Sequence, residues 1–437
     1  MSARLVLLPI FLCFNLIALL ALGRVVRRWV SPGRRRQASK WTRLVVLLLN
    51  IPLLVFFSPR ADDMLRVIPQ PVLRVFFYPA TAWLATIIAF FFLSVPAAMA
   101  WGVGKRLPGW ISKSKHWILG SAPPSPLEAP DLARRSLLSG IPGLLIPGIY
   151  GVAAYGLYSR MGEIDVSKEN SIPIPHLPRA LEGLTVVQIS DLHVGPYIRE
   201  RELQHIVNLT NQLHPDLVVI TGDVLDRHLS SLPDAVNGLK GLRAPLGLFA
   251  VLGNHDFYAD PYSRSKQYRG GLHIVEGLES VGIRTMRNEV VHLGSGNDRL
   301  ALMGLDWLTA SPGDRNFYRY RPVETRWQLR RMAQEVDPET PRILLAHHPS
   351  TFLDVPPEIG LTLSGHTHGG GQVILGYVDG VPIGIATLRF KYLSGLYQEH
   401  GHSLYVNRGI GYLGIPIRIN CPPEISRFKL IRPAAEA

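Results

Sequence analysis

Asp, His and Asn residues gather in five short blocks: Asp191-Leu192-His193, Gly222-Asp223, Gly253-Asn254-His255-Asp256, His347 and Gly365-His366-Thr367-His368. Carboxylate oxygens are hard donors and imidazole nitrogens borderline ones, so the mixture suits Mn, Fe or Zn. No cysteine stands in any block, which argues against a structural zinc. A carboxylate can bridge two cations and an imidazole cannot. The chemistry these residues offer is therefore metal-assisted attack on an anionic substrate.

Each block follows an apolar run. Leu217-Val218-Val219-Ile220-Thr221 ends in Gly222-Asp223, Val186-Val187-Gln188-Ile189-Ser190 in Asp191, and Leu248-Phe249-Ala250-Val251-Leu252 in Gly253-Asn254. Ile343-Leu344-Leu345-Ala346 ends in His347, and Leu361-Thr362-Leu363-Ser364 in Gly365-His366. Runs rich in β-branched residues and stopped by glycine read as strands covered on both faces, whose carboxyl ends face a crevice. Arg199 to Leu213 carries Leu203, Ile206, Val207 and Leu209 at helical spacing, giving a βαβ unit with its neighbours, and 322–336 reads as another helix. The short apolar runs of 372–419, broken by Gly and Pro, suggest added strands. Glycine precedes Asp223, Asn254 and His366, where the backbone must turn off a strand and pass close to a bound ion. His348 neighbours His347, but strand alternation turns it to the other side and predicts a structural role.

The first third of the chain is apolar. Helices crossing a bilayer are expected over about 5–23, 42–58, 75–103 and 136–158, the second short for a span of roughly 20 residues. Arg24, Arg27 and Arg28 follow the first run where a cleaved signal would show small residues. Residues 1–159 hold 18 basic against 4 acidic residues, net +14, and 160–437 hold 28 against 29. The overall +13 thus belongs to the membrane part and is no nucleic-acid footprint. Basic residues crowd the loops after the first and third spans, which places those loops in the cytoplasm and everything after Tyr158 outside it. Arg134-Arg135 before the fourth span reads equally as a twin-arginine export signal or a helix anchor. No Asp, Glu, Lys or His lies within the four runs, which argues against an ion-coupled transporter. The predicted organisation is a membrane domain over 1–159, a proline-rich tether over 160–183 and a soluble domain over 184–437.

The five blocks, in this order, resemble the calcineurin-like metallophosphoesterases, and most closely their membrane-associated bacterial branch. Tyr405-Val406-Asn407-Arg408-Gly409 and Cys421-Pro422-Pro423-Glu424-Ile425 look like that branch too. The resemblance implies an α/β fold of two mixed β-sheets packed as an α/β/β/α sandwich. It implies two divalent ions, with Asp191, His193, Asp223 and His368 on one, Asp223, Asn254, His347 and His366 on the other, and Asp223 as the bridge. It makes His255 the candidate for protonating the leaving oxygen or stabilising the transition state, with Asp256 either orienting it or capping its loop. Arg227 and His228 follow Asp223 closely enough to reach a substrate phosphate, and Asn407-Arg408 reads equally as a second phosphate contact or a structural turn. The expected protein is a multi-pass inner-membrane phosphohydrolase with an extracytoplasmic catalytic domain. Its expected partners are the lipid bilayer and a phosphorylated small-molecule or lipid substrate, a phosphodiester, pyrophosphate or phosphomonoester. A non-catalytic membrane sensor or scaffold is the alternative.

Overall fold

The computed structural model describes residues 3–58, 61–93, 132–158, 163–167, 169–260, 270–307, 322–378, 381–399 and 401–433. The chain divides into two compact units, Met1–Ser159 and Arg160–Ala437.

The first unit contains α1 (Ala3–Trp29), α2 (Arg35–Asn50), α3 (Gln70–Leu93) and α4 (Leu132–Tyr158). Among the described residues three stretches are long and apolar enough to cross a bilayer: Leu8–Trp29, Pro32–Phe56 and Gln70–Leu93. The second reaches that length because its helix begins well before the apolar run, within a basic flank whose long side chains can extend to headgroups. In α4 the apolar part among the described side chains, Leu145–Tyr158, is shorter than a span. The expected end of the third span, 94–103, and the loop over 108–130 lie outside the described residues. One polar node joins three helices: Asn15 Oδ1 accepts from Asn50 Nδ2 at 3.0 Å and from Trp83 Nε1 at 2.9 Å. Among apolar neighbours such bonds fix which helix faces meet.

The second unit is built on two sheets. β1 (Asp165–Val166) and β2 (Asn170–Pro173) lead into β3 (Thr185–Ile189), α5 (Glu200–Gln212), β4 (Leu217–Thr221), α6 (Leu232–Leu239), β5 (Leu248–Val251), α7 (Asn254–Ala259), α8 (Leu272–Glu279) and β6 (Ile283–Thr285). Then come β7 (Glu289–Ser295), β8 (Asp298–Leu305), α9 (Pro322–Gln334), β9 (Arg342–Ala346), β10 (Leu361–Ser364), β11 (Gly376–Val378), β12 (Val381–Ile383), β13 (Gly395–Glu399), β14 (His402–Val406) and β15 (Glu424–Ile431). The first sheet runs β1-β15-β3-β4-β5-β6, with β2 also on β15, and the second runs β13-β14-β10-β9-β8-β7. Both are mixed: β3 to β6 are parallel while β15 opposes β3, and β8, β9, β10 and β14 are parallel while β7 and β13 oppose them.

Alternation along buried strands makes the layers. Leu217 and Val219 of β4 pack with Ile343, Leu345, Leu361 and Leu363 of the second sheet in the core between the sheets. Val218 and Ile220 face outward against Leu203, Ile206 and Val207 of α5 and Leu239 of α6. On the far side α9 covers the second sheet through Leu329 and Met332. The architecture is the expected α/β/β/α sandwich. The proline-rich stretch before β3 is extended but woven into the first sheet, through Asp165↔Glu424 and Asn170↔Phe428. Pro173 is tolerated there because β2 lies off the main strand path, where a missing N–H costs no ladder bond.

Candidate metal centre

All five blocks sit just beyond the carboxyl ends of parallel strands: Asp191 after β3, Asp223 after β4, Asn254 after β5, His347 after β9, and His366 and His368 after β10. The loops are tied together before any side chain acts. Asp191 N donates to Gly222 O at 3.0 Å, His193 N to Asp223 O at 3.0 Å, and Gly365 N to His347 O at 3.1 Å. Asp191, His193, Asp223, His366 and His368 all have positive φ, between 44° and 74°. Each such residue costs on the order of 1–3 kcal/mol, and clusters of them mark functional sites. Two glycines are required by space. A Cβ on Gly253 would overlap the Asp223 carboxylate, and one on Gly365 would overlap Ser190 Oγ and Asp191.

The donor atoms converge. His193 Nε2 and His368 Nε2 are 3.0 Å apart, and His366 Nδ1 and His347 Nε2 are 3.1 Å apart. Asp223 Oδ2 lies 3.2 Å from His347 Nε2 and 3.6 Å from His193 Nε2, while Asp191 Oδ1 lies 3.5 Å from His368 Nε2. Among the described residues three triads have ligand-sized spacing, Asp191–His193–His368, Asp223–His347–His366 and His193–Asp226–His255, with Asp223 beside the first two. Asn254 Oδ1 is buried with no hydrogen-bond partner among the described residues. A buried carbonyl oxygen left unpaired is costly, and a cation satisfies it. The residues present therefore fit divalent ions. His347 also donates Nδ1–H to Thr221 O at 2.7 Å, which leaves Nε2 facing the cluster as a ligand nitrogen must.

The electrostatics agree with that fit. Burial pushes the Asp191 carboxyl up, and the Asp223 charge adds to this. Burial acts the same way on Asp223, but His347 and His255 pull it well below the usual carboxylate range. Burial opposes charge on His347, yet Asp223 overrides it and lifts the imidazole to about 9. The pocket thus favours positive charge beside Asp223, which a divalent cation supplies. Burial holds His366 and His368 well below the ordinary histidine range, hence neutral and able to donate lone pairs.

Around these donors, the geometry favours one of the two roles left open for Asp256 and for Arg408, and it turns His348 other than expected. Asp256 does not turn to His255. Its carboxylate accepts from Leu225 N at 3.0 Å and Gly253 N at 2.9 Å, so it caps the loop. Burial, with Asp223 nearby, pushes it up to about 7. His255 is held instead through Nδ1 by Asp226 O at 2.6 Å, and Asp226 Oδ1 stands 3.6 Å from that nitrogen and 3.4 Å from His193 Nδ1. Arg408 is engaged in structure rather than facing a substrate: Nε pairs with Glu424 at 2.7 Å and Nη2 with Asp165 at 2.6 Å. His348 does not point away. Its ring lies 4.7 Å from that of His366, inside an aromatic wall with Trp307 and Phe390.

Of the other candidates, Arg227 is half-buried at the rim, its Nε 3.7 Å from Asp226, and His228 stands before a short helix over Leu229–Ser231. Two residues escape the sequence reading. Asp226 has a signal in the spacing Gly222-Asp223-x-x-Asp226, whereas Arg418 has none. Arg418 is buried, donates to the carbonyls of Gly409 at 3.0 Å and Cys421 at 3.2 Å, and brings Nη2 to 3.5 Å from His368 Nδ1.

The calcineurin-like phosphoesterase family model matches residues 184–370. An uncharacterised metallophosphoesterase of Aquifex aeolicus is 31% identical over 272 residues, covering 62% of this chain and 94% of that one. The uncharacterised metallophosphoesterase YkuE of Bacillus subtilis is 31% identical over 316 residues, 68% of this chain and 98% of that one. A Danio rerio transmembrane protein with metallophosphoesterase domain is 34% identical over 286 residues, covering 64% of this chain but only 60% of that protein. The chain belongs to the calcineurin-like metallophosphoesterases, and with its apolar helices it is a membrane protein.

Proposed function

We propose that the chain is a membrane-anchored, dimetal-dependent phosphohydrolase cleaving a phosphodiester, pyrophosphate or phosphomonoester bond. The observation that carries this reading is the convergence of six buried or half-buried Asp and His donors from both sheets, with Asn254 Oδ1, beyond the end of β5, buried and unpaired among the described residues. Asp191, His193, Asp223 and His368 would hold one ion, and Asp223, Asn254, His347 and His366 the other. Such a pair, when bound, generates a nucleophile at neutral pH and offsets charge on the phosphoryl oxygens. The chain's own residues do the rest. Asp223 supplies the shared negative charge, and Thr221 O fixes the His347 tautomer. His255, anchored through Nδ1, directs Nε2 to donate a proton to the leaving oxygen. Arg227, half-buried with its Nε 3.7 Å from Asp226, is the candidate contact to a phosphate oxygen.

Address and substrate follow from the first unit. If α4 completes a fourth span, the charge of the basic loops supports a catalytic unit outside the cytoplasm, at the inner membrane of a cell envelope. A reporter enzyme fused after Ala437 reads this directly: activity only in the cytoplasm overturns the orientation. A tethered hydrolase meets envelope lipids first, so a lipid-linked diester or pyrophosphate is the favoured substrate. The activity is tested with the full chain in proteoliposomes, given chromogenic phosphate monoesters and diesters with Mn, Zn or chelator. Metal-dependent turnover abolished by chelator is expected, with diester preferred. A folded, metal-loaded chain inert toward both, and toward pyrophosphate-linked lipid, overturns the assignment.

A further inference from the structure

Outside the metal centre, β11 and β12 stand apart from both large sheets. They form a two-stranded hairpin, Gly376↔Ile383, Tyr377↔Pro382 and Val378↔Val381, that pairs with no other strand among the described residues. This register puts Val378, Val381 and Ile383 on one face, and all three are exposed, Val378 by 56%. Leu375 at its base is 72% exposed, Tyr377 projects from the other face, and Leu388 on the following turn is 94% exposed. So many exposed apolar side chains on and beside so small an element are costly in water and mark a surface that a partner can cover.

The hairpin is held, not loose. Leu375 N donates to Ile383 O at 2.7 Å, and the chain before it is fixed by Ile374 N to Ile419 O at 2.9 Å. A Cβ on Gly384 would press on the carbonyls of Gly370 and Val373, so the root packs directly on the glycine triplet that follows His368. Whatever covers the hairpin is thereby brought to the rim of the metal centre.

We propose that this hairpin, with Leu388, docks into the interface of the lipid bilayer. The occupant is argued from the chain itself. Only residues 159–164 separate the end of α4 from β1, and fully extended they reach roughly 20 Å. An apolar phase is therefore within reach of the catalytic unit at all times, at an effective concentration no free partner matches. The flanks suit that phase: Tyr377 is an interfacial residue type, and exposed Arg389 follows Leu388 as cations do beside anionic headgroups, while Lys391 two residues on is paired with Glu399 at 2.9 Å. The consequence is selectivity for phosphate esters presented at a membrane.

The test uses the full chain in vesicles of phosphatidylethanolamine and phosphatidylglycerol, in a Cys13→Ala background that keeps the buried Cys421, with nitroxide labels on Val378→Cys or Leu388→Cys. Asp298→Cys, at the exposed start of β8, is the reference. Sites 378 and 388 should show several-fold lower accessibility to a water-soluble nickel chelate than 298, and higher accessibility to oxygen. Equal nickel accessibility at all three sites, in chains that melt like the parent, overturns the proposal. So does dipolar broadening at 378 that disappears on dilution with unlabelled chain, because the hairpin then meets a second copy. Neither readout depends on hydrolysis, so failure here is distinct from failure of the enzymatic assignment.

Discussion

Asp223→Asn should abolish metal-dependent turnover, by more than the roughly 10²–10³-fold that loss of one transition-state donor costs. The substitution keeps shape and removes charge. Asp223 Oδ1 accepts from His255 N at 2.8 Å while Oδ2 faces His347 and His193 at 3.2 and 3.6 Å. An asparagine can keep one of those oxygens, but its amide NH₂ must then face either the His255 N–H or the imidazole cluster. No rotamer leaves two lone-pair-bearing oxygens with a full charge between the first two triads. Metal content per chain should fall with activity, measured by mass spectrometry of the desalted protein, and added Mn or Zn should not restore turnover. Full metal occupancy with lost activity would move Asp223 from bridging ligand to some other role. Wild-type turnover would remove it from the site.

The candidate ligands are legible in the sequence because the strand pattern and the chemistry coincide within a few residues. An apolar run and a ligand, in most cases with a glycine between them, occupy one short window, and local sequence carries them all. Contacts across long separations are not legible. Arg408 resembles a phosphate contact, yet its partner Asp165 lies 243 residues away, brought to it by the pairing of β1 with β15. Arg418 stands 50 residues from His368, in a stretch broken by Gly and Pro whose folding no periodicity predicts. At His348 the sequence misleads for a local reason: alternation holds only while the strand continues, and β9 ends at Ala346. Beyond that point His348 caps a short helix, accepting from Ser350 N at 3.1 Å, and its ring falls beside His366. The second span looks short in sequence because hydropathy locates the apolar run and not the helix around it.

His255→Gln should separate catalysis from metal binding. His255 also lies in a ligand-sized triad with His193 and Asp226, so a metal role has to be excluded by experiment rather than by proximity. Its geometry favours the proton donor: Nδ1 is committed to Asp226 O at 2.6 Å, and Asp226 Oδ1 holds His193 from the same side. Asp226 thus positions one residue of each kind, a ligand and a donor. Burial holds the His255 imidazole below its ordinary range, against the pull of Asp223, so the ring gives up a proton readily once it has one. Loss of a positioned proton donor costs typically about 10²–10⁴-fold. That loss should be full for esters with alkyl leaving groups and much smaller for a dinitrophenyl ester, whose leaving oxygen needs no proton. Metal content should stay at the parent level. An equal loss for both esters with metal retained would assign His255 to stabilising the phosphoryl oxygens instead, and a fall in metal content would make it a ligand.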